Sequence, residues 1–139
     1  MSLCNWNAKI QKMNNIATRT TQGNTPIDNP KRIDILLYFT EAQFLQLSHG
    51  LIASVTDDRW FIFYEDDWLY FHRSWTGYGT YKAQLIKKED GYYVKDFWAE
   101  RNKEKFKNED DNRDIQTFSI LVAEFLLGID VKSLTPPKS

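Results

Sequence analysis

The run Trp60-Phe61-Ile62-Phe63-Tyr64-Glu65-Asp66-Asp67-Trp68-Leu69-Tyr70-Phe71-His72-Arg73 limits the fold more than any other part of the chain. Bulky rings suit a pleated, half-buried surface better than a helix. Asp66-Asp67 falls between two such runs, where a two-residue turn closes a hairpin. With that turn, Glu65 faces Trp68 and Tyr64 faces Leu69, so Trp60, Ile62 and Tyr64 share a face with Leu69, Phe71 and Arg73. This face is the expected core. The other face carries Phe61, Phe63 and Glu65 beside Trp68, Tyr70 and His72. It is aromatic enough that something has to cover it or bind to it.

The remaining segments extend this hairpin into an α+β fold. Residues 59 to 101 read as an antiparallel β-meander of about four strands. Glu89-Asp90-Gly91 forms a three-residue loop that sets Tyr81, Ala83 and Leu85 on the face of Phe97 and Ala99. Thr40 with Gln43 three residues on is a capping box, opening a short helix over about 41–49 that buries Phe44, Leu45 and Leu47 and ends at Gly50. A second helix over about 114–127 repeats Ile115, Phe118, Leu121, Val122, Phe125 and Leu126 at three- and four-residue spacing, with Gly128 at its C-cap. Residues 33 to 39 read as a short buried strand or a lead-in segment. Residues 1 to 32 are polar and carry only Trp6, Ile10 and Met13 at helical spacing, so a flexible or weakly helical extension is expected there. The single domain spans about 33–130, and the tail 131–139 with Pro136-Pro137 is expected to be loose.

Charge and cysteine content narrow the function classes. Eighteen basic against nineteen acidic residues offer a polyanion no global attraction, so nucleic acid is not an expected partner. Cys4 is alone and His49 and His72 are the only histidines, so neither an intramolecular disulfide nor an all-N/S zinc site can form. A reducing, cytoplasmic compartment is expected. The first residues hold no basic segment leading into an apolar one, and the most apolar run, residues 120 to 127, is short and contains Glu124, so no signal peptide or membrane association is expected. No phosphate-binding loop, dinucleotide fingerprint, nucleophile elbow or zinc-protease motif is present, and no cofactor or metal is expected. Glu65-Asp66-Asp67 reads as a solvated turn rather than a cation site, Glu109-Asp110-Asp111 as a complement to a helix dipole, and His49 as a dipole partner at a helix end.

The end of the aromatic hairpin is the candidate site. His72, Arg73, Ser74 and Thr76 supply a proton acceptor, a permanent cation and two hydroxyls. Trp75 and Tyr78 add stacking surfaces, and Gly77 allows close backbone approach. Arg59 lies at the facing strand end. These are the parts of an anion or nucleotide site. The structural alternative has equal weight: Arg73 lies over Trp60 as a cation–π pair, and Ser74 and Thr76 only terminate the strand.

The stretch from Trp60 to Tyr78, with Gly50-Leu51-Ile52 before it, resembles the hallmark of an uncharacterised family of small bacterial proteins. The resemblance extends loosely through Tyr81-Lys82 and Asn112-Arg113-Asp114 to Leu126-Leu127-Gly128, about residues 36 to 130, and leaves the N-terminal extension outside. Asp58-Arg59 stands where that family carries an acidic residue and Lys. Members occur beside ADP-ribosylglycohydrolase-like sequences, which implies ADP-ribose or nucleotide chemistry and assigns no catalytic residue. Two functions follow as expectations. One is a binding or accessory domain for a small anionic ligand or a protein partner, using the aromatic face and His72, Arg73, Ser74, Trp75, Thr76, Gly77, Tyr78 and Arg59. The other is a small enzyme on a nucleotide-derived substrate, with His72 as general acid or base and Arg73 or Arg59 stabilising developing negative charge.

Overall fold

A computed structural model describes residues 17–18, 25–52, 59–107 and 109–134. The elements are β1 (Pro30–Phe39), α1 (Glu41–His49), β2 (Trp60–Glu65), β3 (Trp68–Arg73), β4 (Gly79–Gln84), β5 (Ile86–Lys88), β6 (Gly91–Glu100) and α2 (Asp111–Ile120). The last helix continues through a π-helical stretch, Leu121–Leu126. The strands form one open antiparallel sheet in the order β1-β6-β4-β3-β2, with β5 also paired to β6. This is the expected α+β architecture, with a long first strand added at the edge. Among the described residues no helix is long and apolar enough to cross a membrane.

The β2–β3 hairpin adopts the register that its alternation dictates: Trp60 pairs with Arg73, Ile62 with Phe71 and Glu65 with Trp68. Asp66 and Asp67 both take positive φ, the backbone of a turn whose twist matches the strands it joins. The second hairpin differs. Lys88 pairs with Gly91, so the turn is Glu89-Asp90 alone and not a three-residue loop. Tyr81, Ala83, Leu85, Phe97 and Ala99 still join one core with Trp60, Ile62, Leu69 and Phe71.

Both helices pack on that face. The Thr40/Gln43 capping box is complete at the start of α1, and Gly50 ends it at φ 69°. A Cβ on Gly50 would lie 2.1 Å from the Ile62 carbonyl oxygen, so only glycine lets the chain turn here and bond Leu51 to Ile62 along the β2 edge. Leu47 is fully buried and Phe44 stacks on Tyr92 at 3.8 Å, but Leu45 is 61% exposed and not part of the buried face. In the last helix Phe118 stacks on Phe97 at 4.3 Å, and Leu121, Val122 and Leu126 are buried as the stripe requires. Phe125 is 52% exposed, while Ala123 and Leu127 are buried instead. The widened turn is the cause: Leu127 N–H reaches back five residues to the Val122 carbonyl, which rotates the inward face past Phe125.

The described part of the N-terminal segment belongs to the packed domain, so the boundary lies earlier than residue 33. Strand β1 starts at Pro30, Thr25 bridges to Tyr78, and Ala17 is buried against Phe61 and Phe63. The carboxylate of Glu100, fully buried, accepts backbone N–H groups of Asp28 (2.7 Å), Asn29 (2.9 Å), Arg101 (3.0 Å) and Asn102 (3.0 Å). Burial alone pushes this carboxyl up, but the four donors outweigh it and hold the group below its ordinary value. One side chain thus pins the N-terminal segment to the end of β6. Trp6, Ile10, Met13 and Pro136-Pro137 lie outside the described residues.

Candidate functional site

Strand alternation separates His72 from Arg73. His72 is 3% exposed, on the face of Phe61 and Phe63, with its ring stacked on Phe63 at 5.5 Å. Its Nδ1–H donates to the Gly77 carbonyl at 2.9 Å. Gly77, at φ 75°, turns the chain so that the same carbonyl also accepts from Thr25 N–H. His72 is thus buried, and its Nδ1 is engaged in holding the Gly77 turn. Along β2 the aromatic face is covered: Phe61 and Phe63 are 0% exposed, with Ala17 and Ile52 against them.

Arg73 points the other way. Its guanidinium lies 5.0 Å from the Trp60 ring centroid, the cation–π pair that the register allows. Beyond Trp60 it borders two adjoining chambers. The larger, about 470 Å³, has Trp60, Tyr81 and Phe106 as aromatic walls and is also lined by the buried Asp114, by Thr117 and, at its exposed rim, by Lys107 and Arg113. The smaller, about 200 Å³, adds Arg59, Lys105, Trp75 and Thr76, and shares Arg73, Phe106 and Lys107 with the first.

Each wall is fixed by its own contacts. Trp60 stacks on Tyr81 at 5.9 Å, and Phe106 meets Tyr81 edge-on at the same distance. Phe106 is carried by a turn in which Asn102 accepts from the backbone of Lys105 and Phe106, while its side-chain oxygen accepts from Glu104 N–H. Lys105 and Lys107 flank this anchor, and the Lys105 ammonium lies over Tyr78 at 5.4 Å. At the floor, the Tyr81 hydroxyl donates to Asp114 at 2.7 Å, and Arg101 donates to both Asp114 and Asp111. Burial and then the Asp114 carboxylate push the Tyr81 phenol well above its ordinary range. Arg101 is held above its ordinary value: burial works against its charge, and the hydrogen bonds to Asp111 and Asp114 outweigh it. Bonds from Lys31 and Arg101 hold Asp111 low. The floor is therefore a neutralised, fixed network.

The rim is not neutralised. Among the described residues, no carboxylate forms an ion pair with Arg59, Arg73, Lys105, Lys107 or Arg113. Five cations thus converge on a cleft with aromatic walls in a protein of net charge -1. Of the residues singled out from sequence, Arg59, Arg73, Trp75 and Thr76 meet here, with Tyr78 beneath Lys105. Ser74 ties the strand end, its N–H bonded to the Arg59 carbonyl at 2.9 Å, and Thr76 Oγ1 accepts from Tyr78 N–H. Lys105, Phe106, Lys107, Arg113, Asp114 and Thr117 were not legible as site residues. The one available signal was Phe106, an aromatic ring between two lysines within a charged connection. No family model, characterised protein or solved structure matches this chain.

Proposed function

We propose that this chain is a binding domain that recognises a small anionic ligand with a planar ring, of the nucleotide or ADP-ribose-like class, in the cleft beside Arg73. The observation that carries the reading is the convergence of Arg59, Arg73, Lys105 and Lys107 around the smaller chamber, with no carboxylate in its lining among the described residues. Like charges so gathered repel one another unless an anion joins them. Arg73 offers the planar fork that matches phosphate or carboxylate, and the neighbouring rings offer a seat for a base. The resemblance to small bacterial proteins found beside ADP-ribosylglycohydrolase-like sequences points to the same ligand class.

A thermal-shift panel of phosphate, nucleotides and ADP-ribose tests this. A ligand at 100 times its Kd adds about 2.7 kcal/mol, a rise of several degrees for a domain of this size. Arg73→Lys, binding about tenfold more weakly, should roughly halve that rise without lowering the unliganded Tm by more than a degree or two. No shift with any phosphate-bearing compound would contradict the proposal.

A further inference from the structure

The rings that border the cleft are not equally presented. Trp60 and Tyr81 are buried and stacked on each other at 5.9 Å, with the Arg73 guanidinium over Trp60, and Phe106 is half-buried and meets Tyr81 edge-on. Trp75 is the opposite case. It is 75% exposed, the most exposed large apolar side chain among the described residues, and it lines the smaller chamber together with Arg59, Arg73, Lys105 and Lys107. The turn that carries it is bonded at both ends: Ser74 N–H donates to the Arg59 carbonyl at 2.9 Å, Gly77 N–H to the Arg73 carbonyl at 2.7 Å, and Arg73 N–H to the Tyr78 carbonyl at 2.9 Å. Behind it, the buried His72 ring and Thr25 N–H both hold the Gly77 carbonyl. A large ring left in water on a fixed backbone beside four cations is a preformed stacking surface, which binds without first ordering its own chain.

Resting on the nucleotide-class reading above, we infer that Trp75 is the seat of the ligand's ring, with the phosphates among the cations of the smaller chamber and the base stacked on the indole at its rim. A chamber of about 200 Å³ is smaller than the roughly 300–1,000 Å³ that encloses a whole ligand, so part of the occupant stands outside it. The adjoining chamber offers that part little ring face, since Trp60 and Tyr81 already cover each other. Stacking depends on the area of a base and not on its hydrogen-bonding edge. The site therefore takes purine nucleotides of either kind and holds pyrimidine nucleotides less tightly.

Isothermal titration of the full chain with pyrophosphate and with adenosine, guanosine and uridine diphosphates tests this, using wild type, Trp75→Ala and Trp75→Phe, each verified as folded by its melting curve. Trp75→Ala should weaken adenosine diphosphate about tenfold and change pyrophosphate by less than about twofold, because only the first carries a base to stack. Trp75→Phe should keep most of the wild-type affinity for the nucleotide. In wild type the two purine diphosphates should bind within about threefold of each other and uridine diphosphate more weakly. Adenosine diphosphate unaffected by Trp75→Ala, pyrophosphate weakened as much as the nucleotide, or strong preference for one purine overturns the stacking seat while leaving an anion site standing. If none of the probes binds wild type, both the stacking seat and the anion site fail.

Discussion

The guanidinium of Arg73 stands 5.0 Å from the ring of its cross-strand partner Trp60, on the face of the hairpin opposite to His72. The arginine therefore serves packing and the cleft at once, and the two roles respond differently to substitution. Arg73→Ala should cost about 0.5–1 kcal/mol from lost cation–π contact and stem packing. Arg73→Lys should recover much of that loss, yet bind phosphate-bearing ligands about tenfold more weakly, because a point charge cannot form two parallel bonds. Denaturant unfolding and calorimetric titration of the same two variants separate the effects. Loss of stability and of binding in proportion would reduce Arg73 to a packing residue.

Glu100 makes a pH prediction. Its folded carboxyl is held below the ordinary value of 4.5, so between the two values the unfolded chain binds more protons than the folded one. Stability from this group is complete above pH 4.5 and is lost as the pH falls through the folded value. Glu100→Gln turns an NH₂ group toward backbone donors and should cost about 2–3 kcal/mol at neutral pH. It should also flatten the acid limb of the stability curve. An unchanged acid limb in the variant would mean that the four amide bonds do not select the charged form.

Removal of residues 1 to 30 tests how the N-terminal segment is held. The truncated chain loses the Asp28 and Asn29 donors to Glu100, the Thr25–Tyr78 bridge and the Ala17 cover on Phe61 and Phe63. Its Tm should fall by roughly 5–10 °C, from two charge-assisted hydrogen bonds and newly exposed rings. A melting temperature within a degree of the full chain would show that these contacts contribute nothing.

The π-helical stretch separates two phenylalanines that share a stripe in the sequence. Phe118→Ala should cost about 3–5 kcal/mol, as truncation of a fully buried ring does. Phe125→Ser, at a half-exposed position, should fall within about 0.5 kcal/mol of wild type. Equal, large losses from urea unfolding would indicate a regular α-helix with Phe125 turned inward.

These residues also show which parts of the molecule can be read from sequence. The hairpin from Trp60 to Arg73 is legible because a period of two and a turn dipeptide specify pairing locally. The helix start is legible for the same reason: Thr40 and Gln43 satisfy each other within one turn. The phase of the last helix is not, since one backbone bond from Leu127 to Val122 decides whether Phe125 or Ala123 faces inward. The N-terminal segment looked loose because its anchors are its own backbone N–H groups, which carry no residue signature. Arg73, opposite Trp60, and Arg59 beside it in sequence are legible as candidate anion-binding cations near one end of the hairpin. Lys105, Lys107 and Arg113 join them only because β6 returns beside β4 and the connection after it folds Phe106 onto Tyr81.

The most direct test of the cleft is a ¹H–¹⁵N NMR titration of the full chain with pyrophosphate, following backbone amides and the five tryptophan indole N–H signals. Saturable shifts are expected only at residues 73 to 78 and 101 to 107, the start of α2 and the indoles of Trp60 and Trp75. Those shifts should be much reduced in Arg73→Lys and weakened by added salt. Linear, unsaturating shifts scattered over the surface, or saturable shifts centred on His72 and the Phe61–Phe63 face, would contradict the anion site.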